Sequence, residues 1–275
     1  MFKYNKELKI CEIGNIKVGK NNSPLLIGTI FYAGQKIRKS GVDFEKAKEM
    51  IHEVIDLSDK TKINFMPDIY IDKGDDIPKM IDFISGFDIP FLMDAGEWEV
   101  RMKTLEHCNE VGLIDRVLYN SINFSMTEDE RELIKEIKPK NAILLAFNPI
   151  DNSVEGKVHY IKNKLYPFSK VAGVKNVLID SGVMTIGNGS LNSIKALVAL
   201  KSELGLPVGN GIHNIISDWV QKINKSAREI CDSSLAASQL ILGADFLLYG
   251  PIESSWRIFP VAQMISEILK DEYNG

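Results

Sequence analysis

The feature that most constrains this chain is a repeated unit: an apolar run ending in Asp or Asn, a turn of small residues, then an amphipathic helix. It is written as PFLMD at 90–94, RVLYNS at 116–121, NVLID at 176–180 and PVGNGIHN at 207–214. Short apolar runs bounded by turn signals read as buried strands, and apolar stripes at 3.6-residue spacing read as helices packed on them. Alternating the two calls for a parallel sheet, because strands joined through a helix run the same way. Strands are expected over 25–30, 63–71, 90–94, 116–121, 142–147, 174–180, 207–211 and 246–249. Eight strands separated by helices fit an α/β fold, the (β/α)8 TIM barrel, whose usual size of about 250 residues suits a chain of 275. A doubly wound open sheet shares the local pattern, but no GxGxxG or GxxxxGK occurs.

No linker rich in Pro, Gly or Ser divides the chain, so 1–275 is read as one domain. Residues 8–18, LKICEIGNIKV, alternate loosely and turn at Gly14–Asn15, predicting a hairpin that could plug the barrel end away from the active site. Asp43 and Thr127, the latter with Glu130 three residues on, are placed to cap helices. Asp75–Asp76 should open another. The second strand looks interrupted at Met66–Pro67, a helix is expected over 157–170, and two more over 215–223 and 233–242 with a break between.

Thirty-three basic and 37 acidic residues leave a net charge of −4, which implies neither a nucleic-acid footprint nor a membrane-attracting surface. The opening MFKYNKELKICE has no long apolar run, and no stretch approaches 18 apolar residues, so a cytoplasmic location is the default expectation. Cys11, Cys108 and Cys231 are odd in number and far apart, which predicts buried thiols rather than disulfides. The four histidines form no HxxxH or HxH and no CxxC occurs, so a zinc site is not expected.

In a barrel, side chains at the C-terminal strand ends converge on one mouth, so Asp68, Asp94, Asn120, Asp180 and Asn214 can meet. Ser121 and Asn123 stand beside them. Carboxylates accept N–H donors and carboxamides both donate and accept, an inventory that favours a planar, nitrogen-rich ring with adjacent donors. Taken alone, each Asp or Asn could simply cap the helix that follows. Two other chemistries use the same residue types. One is metal-assisted hydrolysis, and the other is sugar hydrolysis by a pair drawn from Asp68, Asp94, Asp180 and Glu253.

The stretches KICEIGNIKVG, LLIGTIFYAGQKI, FLMDAGEWEVR, VGLIDRVLYNSIN, AILLAFNP, VLIDSGVM and GLPVGNGIHN resemble the MtrH-like methyltransferases, the family related to the MtrH subunit of tetrahydromethanopterin S-methyltransferase. The wider pterin-binding barrels, including dihydropteroate synthases, are a more distant likeness. The resemblance implies a TIM barrel with the pterin in its mouth, Asp94, Asn120 and Asp180 on the pyrimidine edge, and Asn214 as the catalytic residue at the reactive N5. Asp68 and Ser121 complete the expected cofactor-binding set. Methanogen members commonly have GCGPHN where this chain has GNGIHN, so Asn210 and Ile212 depart from that motif.

The chain also lacks some inserted length of the methanogen proteins. That points to the bacterial type, which moves a methyl group from a methylated corrinoid protein to N5 of tetrahydrofolate. The alternatives are the same transfer with tetrahydromethanopterin, a synthase-like pterin enzyme using Arg257, and a noncatalytic pterin-binding subunit. No DxHxxG segment occurs, so methylcobalamin or a related corrinoid is expected on a partner protein, and no metal is assigned to this chain. The resemblance further implies a homodimer.

Overall fold

A computed structural model of the chain describes residues 3–39, 41–216, 219 and 225–273. Strands β1 (Cys11–Ile13) and β2 (Ile16–Val18) pair antiparallel as the expected hairpin. Eight further strands then close a parallel barrel: β3 (Leu25–Ile30), β4 (Asn64–Tyr70), β5 (Phe91–Asp94), β6 (Val117–Ile122), β7 (Asn141–Leu145), β8 (Asn176–Asp180), β9 (Val208–Gly211) and β10 (Phe246–Pro251). They are ordered as in the sequence, and β10 returns to β3, as the TIM barrel expectation requires.

Helices α1 (Phe44–Thr61), α2 (Ile77–Ser85), α3 (Trp98–Glu110), α4 (Glu128–Ile137), α5 (Val154–Tyr160), α6 (Tyr166–Val171), α7 (Ser190–Leu204), α8 (Ile212–Ile216), α9 (Lys225–Ile241) and α10 (Ser255–Tyr273) follow the strands. Asp43 accepts from the Lys46 N–H at 3.0 Å and Thr127 from the Glu130 N–H at 3.2 Å, so both expected caps form. Among the described residues no helix is long and apolar enough to cross a membrane.

Period-two alternation sorts the strand residues into two cores. Leu25, Ile27, Met66, Leu92, Leu118, Ile143, Leu178 and Phe246 fill the barrel interior, whereas Leu26, Ile30, Ile69, Met93, Tyr119 and Ile179 face the helices. Phe246 reaches its place only because β9 is bare there: a Cβ on Gly209 would lie 2.0 Å from the Phe246 carbonyl oxygen and 2.6 Å from its Cγ. The hairpin joins the inner core, with Cys11, Ile13, Ile16 and Val18 all buried against it. Each fully buried aliphatic chain of this size contributes about 1.5–3 kcal/mol.

Asparagines at strand starts fasten the plug. Asn176 Nδ2 donates to the Glu12 carbonyl at 2.6 Å, and Asn64 Nδ2 donates to the Lys17 carbonyl at 3.4 Å.

Local departures from the sequence reading have local causes. Strand β4 runs unbroken through Met66–Pro67, with Pro67 in register with Gly28. Strand β10 extends past Tyr249 because a register shift between Leu248 and Gly250 carries it through residues that read as a stop. The helix expected over 157–170 spans Val154 to Val171 as α5, a π-helical turn at Ile161–Leu165, and α6. Asp75–Asp76 belong to a 3-10 turn before α2, and Asp76 meets Arg38 at 3.4 Å instead of capping. Helix α9 starts well before Ser233. Of the helix expected over 215–223, Ile215 and Ile216 lie in α8, and residues 217, 218 and 220–223 lie outside the described residues. The three cysteines are free, Cys11 and Cys108 buried and Cys231, against expectation, half-exposed.

Candidate functional site

The strand tips inherit their direction from the inner core. In β3, β4, β5, β6 and β8, Thr29, Asp68, Asp94, Asn120 and Asp180 each lie two residues beyond an inward apolar side chain, namely Ile27, Met66, Leu92, Leu118 and Leu178. A step of two keeps a side chain on the same face of a strand. The polar tips therefore form the next layer up from the apolar interior, at the C-terminal mouth.

There they line one cavity of about 770 Å³, with Ser121 and, from α8, Asn214. All six residues expected from the sequence thus meet, with Asn214 exposed at the rim and Asp68 buried deepest at 2%. The Asn120–Ser121 peptide bond is cis, and the β6–β7 register shifts between Asn120 and Ile122. Asn123 also borders the cavity but is tied up locally, donating to the Ser121 carbonyl at 3.0 Å and accepting from the Ser125 N–H at 2.8 Å.

The three carboxyl groups differ in what backs them. Asp68 is pushed well above the usual carboxylate range by burial and then by the charge of Asp94, and the Thr29 hydroxyl, donating to Oδ2 at 2.6 Å, opposes this only in part. Asp68 Oδ1 is buried without a protein partner. Burial pushes Asp94 up to about 6, against the Ala95 N–H, the Arg101 charge and a hydrogen bond from Asn120. Burial likewise raises Asp180 to about 6, opposed by the Gly182 N–H, which donates to Oδ1 at 2.7 Å, and by the charge of Lys157. Asp68, with no cation among the groups acting on it, is the carboxyl most strongly biased toward its protonated form, while Asp94 and Asp180 are each opposed by a nearby cation.

Three supporting residues escaped the sequence reading. Thr29, next to last in β3, shares the phase of the other tips, which was the available signal. Arg101 and Lys157 each sit in a buried helical stripe, Arg101 with Thr104, Leu105 and Cys108, and Lys157 with Ile161 and Leu165. A cation inside such a stripe marks a buried charge in need of partners. Arg101 Nε donates to Glu130 Oε1 at 3.0 Å and Nη1 to the Ala95 carbonyl at 3.3 Å, and the Tyr119 hydroxyl also donates to Glu130.

Arg257, at the mouth, donates to Asp232 Oδ2 at 2.7 Å and to Ser254 Oγ at 2.8 Å. Among the described residues no group of three or more His, Cys, Asp or Glu side chains converges as metal ligands.

The family described as tetrahydromethanopterin S-methyltransferase MtrH subunit matches residues 6–274. The corresponding subunit of tetrahydromethanopterin S-methyltransferase from Methanopyrus kandleri is 36% identical over 98% of this chain and 93% of its own length. The protein of the same name from Methanothermobacter marburgensis is 35% identical over 98% and 95%. Among solved structures, Yersinia pestis dihydropteroate synthase with a pterine-sulfa conjugate superposes with a TM-score of 0.69 at 14% identity, covering 96% of this chain and 99% of that one, a likeness of fold alone.

These relatives correct the expectation of a tetrahydrofolate enzyme. They are named for tetrahydromethanopterin, and although they align over 300 and 295 positions against 98% of this 275-residue chain, so that the chain is the shorter one, the match still covers 93–95% of their length and the shorter length does not take it out of their family. With near-complete coverage on both sides, the chain belongs to the family of the tetrahydromethanopterin S-methyltransferase MtrH subunit.

Proposed function

We infer that the chain binds tetrahydromethanopterin in its methylated or free form at the strand tips, and moves the methyl group between the pterin N5 and the cobalt of a corrinoid carried by another protein. The observation that carries this is the polar layer in phase with the barrel core: two ionisable acceptors, Asp94 and Asp180, on either side of the carboxamide of Asn120, above an apolar floor. A pterin offers a flat face to such a floor and adjacent ring and exocyclic N–H groups to such acceptors. Membership of a family named for that pterin supports the same ligand.

In this reading Asp94, Asn120 and Asp180 hold the pyrimidine edge, with Ser121 beside them and Asp68, biased by burial toward its neutral form, below. Asn214 stands at N5. Its amide can accept from a protonated N5 or donate to the neutral lone pair. In one direction the N–C bonding pair stays on N5 while an electron pair of the partner's Co(I) would form the new Co–C bond of methyl-Co(III); in the other the N5 lone pair forms the N–C bond and the Co–C pair stays on cobalt as Co(I). The protein's share is to fix N5 in line with an incoming cobalt and to exclude other orientations.

A second protein has room to approach. Ile150 (86% exposed) follows β7, and Ile186 (46%) and Leu191 (60%) follow β8, so apolar side chains stand on the mouth side of the barrel. Exposed apolar groups gathered at a site edge favour protein contact. A homodimer and a cytoplasmic location remain part of the proposal, read out by sizing in solution and by fractionation.

The test is an anaerobic assay of methyl-tetrahydromethanopterin with a Co(I) corrinoid, followed by loss of the Co(I) absorbance, beside calorimetry of tetrahydromethanopterin binding. Saturable turnover is expected. Binding without turnover would leave a noncatalytic pterin-binding subunit, and no binding would end the proposal.

A further inference from the structure

Lys157 of α5 is 0% exposed, and its ammonium donates to three backbone carbonyls: Ala146 at 2.9 Å, Ser181 at 3.1 Å and Gly182 at 2.6 Å. Two of these belong to the turn directly after Asp180, and the third to the segment leaving β7. The same turn closes on Asp180 itself, through the Gly182 N–H to Oδ1. Gly182 has φ +66, and a Cβ on it would lie 2.5 Å from the Ala146 carbonyl oxygen, so the turn is pressed against the end of β7. Lysine, turn and carboxylate are one connected unit.

Three neutral carbonyls satisfy the N–H bonds of an ammonium but leave its charge uncompensated in a buried place. The charged group that bears on Lys157 is Asp180 on β8; the carbonyls from the β7 and β8 ends complete its surroundings. Lys157 does not line the cavity, so it reaches a ligand only through Asp180.

We propose that Lys157 is a positioning residue for Asp180: its buried ammonium locks the 181–182 turn against β7 and keeps the Asp180 carboxylate aimed into the cavity as an acceptor. The site is thereby set to take N–H donors at this tip, the amidine-like edge of a pterin, and to refuse a ligand presenting an acceptor there. This deepens the pterin reading above and rests on it for the identity of the ligand. Burial pulls the Lys157 pKa down to about 8, the Asp180 charge opposing, so the device is intact at neutral pH and weakens in mild alkali.

The experiment measures the affinity of wild-type, Lys157→Met and Lys157→Gln proteins for tetrahydromethanopterin between pH 5 and 9, anaerobically, with the Asp180 carboxyl followed in parallel by carbon NMR without ligand. Wild-type affinity should rise as pH passes about 6 and fall again above about 8. In both variants the acid limb should move to higher pH, the alkaline limb should vanish, and affinity at pH 7 should drop at least about tenfold, as for loss of one charge-assisted hydrogen bond.

An Asp180 carboxyl titration that does not move upward in the variants, or an equal loss of affinity at every pH, would overturn the proposal by reducing Lys157 to a packing role; the affinity limb alone does not decide, because Asp94 titrates in the same range. If neither variant folds, the wild-type profile decides, and the absence of its alkaline limb is the refuting result. Should wild-type protein bind no pterin, the ligand reading fails on its own. The Asp180 titration still tests Lys157 in that case, since it should move upward in the variants.

Discussion

Thr29 donates a 2.6 Å hydrogen bond to Asp68 across the β3–β4 pair, and this is the protein contact that Asp68 has, its other oxygen being buried without a partner. Thr29→Val keeps the shape and removes the donor, stranding a buried carboxyl. The expected loss is about 1–3 kcal/mol, equivalent to a fall of some ~2–4 °C in Tm per kcal/mol. Thr29→Ser should recover most of it. Thermal unfolding at pH 7 checks both.

Stability should fall as pH rises from about 4 to 7. Asp94 and Asp180 have folded pKa values near 6, above the ordinary 3.8, so the folded chain holds more protons in that window than the unfolded one. Their contribution is complete below the unfolded value and is lost as pH passes the folded one. At 1.36 kcal/mol per unit, each group accounts for roughly 2–3 kcal/mol. Denaturant melts across this range should show the slope, and Asp180→Asn should flatten it while weakening pterin binding.

Asn214 and Asp180 should separate kinetically. Asn214→Ala is expected to lower the methyl transfer rate by roughly 10²-fold, the cost of losing one well-placed contact at the reacting atom, with pterin affinity little changed. Asp180→Ala should weaken pterin binding by roughly 10- to 100-fold, in line with loss of a charge-assisted hydrogen bond. Single-turnover rates and calorimetry together distinguish the two, and equal small effects would remove both roles.

The hairpin should matter for folding and not for chemistry. Ile13 is fully buried in the inner core at the end of the barrel away from the polar tips. Ile13→Ala should cost about 2–5 kcal/mol and leave the pterin affinity of the folded fraction unchanged. Urea unfolding, paired with binding measured well below the midpoint, checks this.

The barrel was readable because eight apolar runs and their helices obey two simple periods, and the caps at Asp43 and Thr127 are spelled locally. The site was readable in part. Asp94, Asn120 and Asp180 follow strands whose phase is plain, whereas Asp68, though named among the tips, has its phase obscured by Pro67, which reads as a break although β4 continues through it. Lys157 and Arg101 act across the chain, on turns 24–25 residues away for Lys157 and on Glu130 for Arg101. Only tertiary packing brings those groups together. The choice of pterin could not be read from the tips at all, since the pyrimidine edge they would meet is common to both cofactors, and the relatives corrected it.

The stopper formed by Cys11–Val18 has a kinetic corollary. It caps an interior already packed with side chains, so among the described residues the polar cavity lies at the strand-tip mouth, and under the proposed function a small reactant and a bulky protein would share that entrance. The small one has to be seated before its visitor arrives, and its product stays captive until the visitor departs. Steady-state patterns should accordingly show compulsory order, with an excess of the protein reactant slowing turnover by sealing occupied and vacant barrels alike.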